Sequence, residues 1–288
     1  MPDKLFHLGF LKVKYKAAIR DKTMKLRKGF LTNWRQMFVV CLLLVLCGRL
    51  IKAQEFPILV YHRFDSAMPG LTTVRTSTFE LQLEWLEDHH YQILSLRTVT
   101  DKLRTMRDTN APAVAITVDD GHRSIYAEMF PLILKHHIPV TLFIYPSVIS
   151  NASYALTWEQ IRQMKRSGLV DVQSHTLWHP NFRKERARLS DAEYEAFVIK
   201  QLTRSKDILS SRLGGQIDSL AWPFGIHNSY LENAAQRAGY KTAFALGGAP
   251  ARAGGNMLAI PRIPVSDNDT GARFYRLLMD PRRNRREK

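Results

Sequence analysis

The sequence predicts a single α/β domain built as a barrel, complete or distorted. From Glu55 onward, short apolar runs rich in Val, Ile, Leu and aromatics alternate with amphipathic stretches, seven or eight times over. Repeated β-then-α units imply a parallel sheet, and that many units imply closure. The chain has 288 residues, enough to bury a sizeable core. It carries no internal sequence repeat, low-complexity tract or interdomain linker.

The expected strands are Ile58–Tyr61, Tyr91–Leu96, Val114–Val118, Val140–Tyr145, Val170–Gln173, Ser219–Trp222, Thr242–Leu246 and Ile260–Val265. Between them, Phe79, Leu83 and Leu86 share one face of a helix expected to open at Ser77 or Thr78. Thr157-Trp158-Glu159-Gln160 reads as a capping box leading to a stop at Gly168. A long helix is expected from Ser190 towards Leu213, ended by Gly214-Gly215. Another starts at Asn228 or Ser229 and stops at Gly239. His136-His137 reads as a helix C-terminus, where the dipole favours them.

The charge is concentrated in the tails. Residues 1–54 hold 12 Lys/Arg against 2 Asp/Glu, so +10, and residues 282–288 hold 5 against 1, so +4. Of the total +16, the body from 55 to 281 keeps only +2. A nearly neutral body argues against a nucleic-acid-reading surface. Both cysteines, Cys41 and Cys47, lie in the apolar run 37–47. Its 11 residues are short for a membrane span and right for the apolar region of a signal peptide. Met24 opens a more ordinary signal than Met1 does. Cleavage near Ala53 is the first expectation and retention as a membrane anchor the runner-up, either giving a route for membrane contact, while Leu46 before Cys47 argues against a lipoprotein. The expected location is therefore extracytoplasmic. Residues 55–281 form the expected catalytic domain, and 282–288 a basic, disordered tail. Without the apolar run the chain has no cysteine, so metal ligands would have to be His, Asp or Glu.

Two motifs carry chemistry. Asp119-Asp120-Gly121 closes the run Val114–Val118, at the strand end where α/β folds place active sites. His175-Thr176-Leu177-Trp178-His179-Pro180 closes Val170–Gln173, with two histidines four apart. Singly, each could be an ordinary polar turn. Together they supply one carboxylate and two imidazoles for a divalent ion, and a second carboxylate for a proton.

These residues resemble the polysaccharide deacetylases of carbohydrate esterase family 4, the NodB-like group, over about residues 57–265. Thr117-Val118-Asp119-Asp120-Gly121 is similar to the family's T-F-D-D-G, His175–Pro180 to H-[ST]-x-x-H-P, and Trp222-Pro223-Phe224-Gly225 to R-x-P-Y-G. Pro57–Arg63 and Ile260-Pro261-Arg262-Ile263 resemble the poly-N-acetylglucosamine deacetylase branch. The resemblance implies a distorted (β/α)7 barrel and an N-acetylglucosamine polysaccharide as substrate. It implies Asp120, His175 and His179 as metal ligands, Asp119 as general base, and the Phe224 N–H as oxyanion donor. Zinc is the default ion for such ligands, while Co2+, Ni2+ and Fe2+ fit the same set.

The chain departs from the family pattern twice. The third-motif Arg that orients the base falls at Ala221, leaving Arg262 as the candidate from a neighbouring strand end. No Leu-x-His motif supplies the acid, so His62, His122 and His227 are candidates, with His62 first. Trp178, Trp222, Phe224 and Tyr145 are candidate sugar-stacking residues. Two other functions remain open at this point. An O-acetyl esterase on xylan or another glycan needs less acid assistance. A carbohydrate-binding pseudo-enzyme would carry a decayed metal site.

Overall fold

The computed structural model describes residues 55–279. The N-terminal segment 1–54, its apolar run 37–47, and the tail 282–288 lie outside the described residues. Among those described, seven parallel strands close a barrel: β1 (Ile58–Tyr61), β2 (Ala113–Asp119), β3 (Val140–Ile144), β4 (Val170–Ser174), β5 (Ser219–Ala221), β6 (Thr242–Leu246) and β7 (Ile260–Pro264). Neighbours pair in sequence order from β2 to β7. The ring closes because β1 pairs with both β7 and β2. Helices α1 (Thr76–Asp88), α2 (Leu96–Thr105), α3 (Phe130–His136), α4 (Trp158–Arg166), α5 (Phe182–Arg188), α6 (Asp191–Leu213), α7 (Ser229–Arg237) and α8 (Gly271–Met279) complete the described elements discussed below.

Strand periodicity sorts the core into two layers. Leu59, Val114, Ile116, Val118, Leu142, Val172 and Leu220 face outward and pack beneath the helices. Ile58, Ala113, Ala115, Phe143, Ala221, Phe244 and Ile260 face inward. The interior alternates small and large: three alanines leave room for the Phe143 and Phe244 rings, whose centroids stand 5.4 Å apart. Leu96, Val99 and Leu103 of α2 join this inner cluster with Phe56. The same parity, continued to the C-terminal strand ends, turns His62, Asp119, His175 and Arg262 towards the barrel axis.

The distortion lies between β4 and β5, where only Ser174 and Leu220 are in register. The Gln173 side chain fills the gap. Its Oε1 accepts from the Asp218 and Ser219 N–H groups at 3.1 and 3.0 Å, and its Nε2 donates to the Gln216 carbonyl. A side chain thus takes the place of missing ladder bonds.

The expected capping box of Thr157 with Gln160 forms, and the long helix that starts at Ser190 carries a second, unexpected one, Ser190 with Glu193. Asn228 caps α7, and His137 ends α3 in a left-handed conformation. Other boundaries differ. The first helix begins at Thr76, not Ser77 or Thr78, and Arg75 at its N-cap makes no side-chain cap. Instead, the Arg75 backbone N–H and guanidinium bind the Asp267 carboxylate, which anchors the helix start from 192 residues away. The expected strand Tyr91–Leu96 shrinks to Gln92–Ile93, because Ser95 caps α2 by accepting from the Thr98 N–H. The β-branched Thr98, Val99 and Thr100 disguise that helix. The short Gln92–Ile93 strand pairs with the start of β2 below β1, so it stands outside the ring.

Candidate active site

β2 is buried along its whole length and ends on Asp119. The backbone then turns left-handed through Asp120 (φ 73°) and Gly121 (φ 79°). At Gly121 a Cβ would also come within 3.1 Å of Ile149. This turn separates the two carboxylates: Asp119 stays on the inward face, and Asp120 stands at the rim. The His175–His179 loop is similarly bent, with Thr176 at φ 65° and His179 at φ 61°. Thr176 Oγ1 accepts from the His179 N–H, which holds the second imidazole beside the first, centroids 4.6 Å apart. Strained φ values at Asp120, Thr176, His179 and Phe224, all around one point, are the kind of outlier that clusters at functional sites.

Asp120, His175 and His179 converge. Nε2 of His175 and Nε2 of His179 each lie 3.6 Å from Asp120 Oδ1, and the three ligand atoms all fall within 4.8 Å of one another. Ligands at about 2.1 Å from a tetrahedral ion stand roughly 3.4 Å apart, so the donor set fits a divalent metal. The His175 Nδ1–H donates to the Ala221 carbonyl at 2.8 Å, which leaves Nε2 as its ligand atom. Burial, reinforced by the His175 charge, lowers the His179 pKa to about 4. At neutral pH that imidazole carries the free lone pair a metal requires.

Asp119 is gripped by Arg262. Nη1 donates to Oδ1 and Nη2 to Oδ2, both at 2.7 Å, and Nη1 also reaches Thr117 Oγ1 at 3.1 Å. The pair is fully desolvated, at 3% and 0% side-chain exposure. The guanidinium lies over the Phe143 ring, 5.2 Å from its centroid. Burial pushes the Asp119 carboxyl up, but the Arg262 charge and hydrogen bonds, helped by His175, outweigh it and hold the pKa at about 2. Ala221, where the family pattern has its arginine, lends its carbonyl to His175. The Asp119 carboxylate is held from β7 instead.

The remaining candidates separate by geometry. His62 feels the charges of Asp119, Asp120, Arg262 and His175, and burial lowers its pKa. His122 bonds Ser124 through Nδ1, and His227 is paired with Glu232 at 2.7 Å. Phe224 sits at φ 56° in a turn closed by Gly225 N–H to Trp222 O and Ile226 N–H to Pro223 O, neither of which uses its own N–H. Gly225 is obligatory, since a Cβ there would meet the Leu246 backbone nitrogen at 2.8 Å. The Phe224 ring is 56% exposed and packs edge-on against His179, centroids 4.6 Å apart.

Tyr145 also stands near the histidines, 5.4 Å from the His179 ring centroid, whereas the exposed Trp178 packs on Phe197, centroids 5.6 Å apart. Trp222 does not belong with them. It is fully buried, its indole N–H donates to Leu258 O, and it packs on Phe182, so it cannot stack on a sugar. Sequence reasoning missed Thr117, which steadies the arginine, and Tyr154, whose hydroxyl bonds that of Tyr145. The threonine was visible inside the first motif. The tyrosine carried no signal.

Residues 106–243 match the polysaccharide deacetylase family model. The chain is 28% identical over 203 residues to the poly-beta-1,6-N-acetyl-D-glucosamine N-deacetylase of Staphylococcus aureus (strain MRSA252), spanning 68% of this chain and 69% of the relative. The deacetylase PplD of Streptococcus pyogenes, solved with acetate, aligns at a TM-score of 0.70 and 24% identity, covering 79% of this chain and 99% of that one. IcaB from Ammonifex degensii aligns at 0.67 and 23%, covering 75% and 94%. These solved structures establish the fold as the distorted (β/α)7 barrel expected from the sequence. Within the part matched by the polysaccharide deacetylase model, residues 106–243, the first two motifs stand in place at the strand ends.

Proposed function

We propose that the chain is a metal-dependent hydrolase that removes N-acetyl groups from an N-acetylglucosamine polysaccharide outside the cytoplasm. One observation carries this reading: a carboxylate gripped on both oxygens by Arg262 stands beside a converging Asp120, His175 and His179. A divalent ion held by those three would polarise the acetamide carbonyl and make water more acidic; Zn2+ suits the set best, with Co2+, Ni2+ and Fe2+ as alternatives.

The protein's own residues do the rest. Asp119, ionised at any physiological pH, takes a proton from water as the oxygen attacks the carbonyl carbon. Its low pKa makes it a weak base, so it depends on a water already acidified at the site. Arg262 fixes the carboxylate so that no reorientation is needed during the reaction. The Phe224 N–H, aimed by its left-handed turn, donates to the oxygen where negative charge develops. Because burial lowers its pKa, His62 must first take up a proton, the one Asp119 has removed from water, before it gives it to the departing nitrogen. The C–N bond breaks, and acetate and a free amine leave.

The Staphylococcus aureus relative favours a β-1,6-linked polymer, an exopolysaccharide rather than peptidoglycan or chitin-type chains. The location rests on the basic, apolar N-terminal segment. The test is acetate release by the full-length protein from β-1,6- and β-1,4-linked N-acetylglucosamine oligomers and from acetylated xylan. Release from the β-1,6 oligomer is expected to dominate. Release from xylan alone would make the protein an esterase, and none from any of the three would favour a binding role.

A further inference from the structure

A cavity lies close along the chain to His179 and Phe224, and none of Asp120, His175 and His179 lines it. Its volume is about 690 Å3, within the range of small-molecule sites. It forms where the two motif loops run on into helices. Phe182, three residues past His179, and Ile226, two past Phe224, both line it. At no more than about 3.6 Å per residue, its wall begins within about 11 Å of one and about 7 Å of the other, Cα to Cα.

The lining has the chemistry of a saccharide site. Tyr230 of α7 is 38% exposed and stacks on Tyr194 of α6, which is buried; the centroids are 5.7 Å apart and the planes 28° from parallel. The Arg186 guanidinium lies 5.3 Å from the Tyr194 ring centroid and pairs with Asp191. Tyr230 thus offers a firmly backed aromatic face, suited to the C–H face of a sugar ring. Phe182, Ile226 and Leu231 supply an apolar floor for an acetamide methyl. Around them Arg183 and Arg186 are balanced by Asp191 and Glu195, giving both donors and acceptors but no net charge. Such a wall has no net attraction for an ammonium group.

We infer that this cavity holds a neutral, still-acetylated sugar unit of the same polymer, some way along from the unit being deacetylated. This inference rests on the proposed deacetylase reading. It gives the site a sense of its neighbourhood. Longer acetylated substrates gain contacts that shorter ones cannot reach, which lowers KM. A unit already stripped to the amine fits worse, so deacetylation of nearby units is disfavoured and free amines become spaced along the chain.

The test compares kcat/KM for an acetylated hexamer and dimer in full-length wild type, Tyr230→Ala and Tyr230→Phe. The hexamer-to-dimer ratio should fall about fivefold in Tyr230→Ala and hold in Tyr230→Phe, which keeps the ring. An equal ratio in all three proteins overturns the inference. Calorimetry on full-length Asp119→Asn supplies a readout independent of turnover. The acetylated hexamer should bind more tightly than its fully deacetylated counterpart, and adding Tyr230→Ala should weaken it. Equal binding of the two hexamers, or none of either, also overturns it. Absence of acetate release, with this Tyr230-dependent binding intact, would sink the deacetylase reading and leave the cavity's ligand standing.

Discussion

Replacing Arg262 with methionine is expected to destabilise the protein by about 3–5 kcal/mol, because it breaks a buried ion pair from one side. The arginine is wholly buried, and its two terminal nitrogens satisfy both oxygens of Asp119. Methionine fills much of the same volume over Phe143 but leaves a carboxylate that burial alone pushes towards protonation. Thermal unfolding should fall by on the order of 10 °C for a domain of this size. Acetate release should fail as well, since a neutral carboxyl cannot accept a proton. Arg262→Lys keeps the charge but loses the fork that reaches both oxygens, so it should recover part of the stability and little of the rate. An unchanged melting temperature in Arg262→Met would contradict the account of this pair.

Asp119→Asn is expected to lower kcat by about 10²–10⁴-fold while the protein still binds its metal. Asp119 is not among the converging ligands, so Asp120, His175 and His179 keep their positions. The substitution is not structurally neutral. The new amide presents a donor to one of the two Arg262 nitrogens, so one short hydrogen bond becomes a clash of donors. Metal content and melting temperature should therefore be measured on the same sample as kcat. Loss of turnover with metal retained separates a missing base from a collapsed site. Undiminished turnover would remove Asp119 from the chemistry.

The barrel was legible in the sequence because its strands are buried runs bounded by Gly, Pro and Asp, which parallel sheets require. The core of the site was legible for a related reason. Asp119 and His175 end or follow such runs, and Gly121 marks the turn that parts the two carboxylates. The sequence offers Arg262 only as a candidate from a neighbouring strand end; the structure adds that it lies two residues from Ile260, which faces the barrel interior. Three features were hidden. The β-branched start of α2 masked a helix that a single serine caps. Trp222 read as a groove aromatic, but strand parity sends it outward under Phe182. The Tyr194–Tyr230 pair joins residues 36 apart on two helices, and no local pattern announces a contact made by tertiary packing.

The most direct measurement is acetate release by the full-length protein after its metal is stripped with a chelator and then restored by titration with Zn2+, with bound ion counted at each step. Release is expected to vanish on stripping and to return in proportion to occupancy, saturating at one ion per chain. Release that persists in metal-free protein would contradict the central claim, as would binding that is unaffected in His175→Ala.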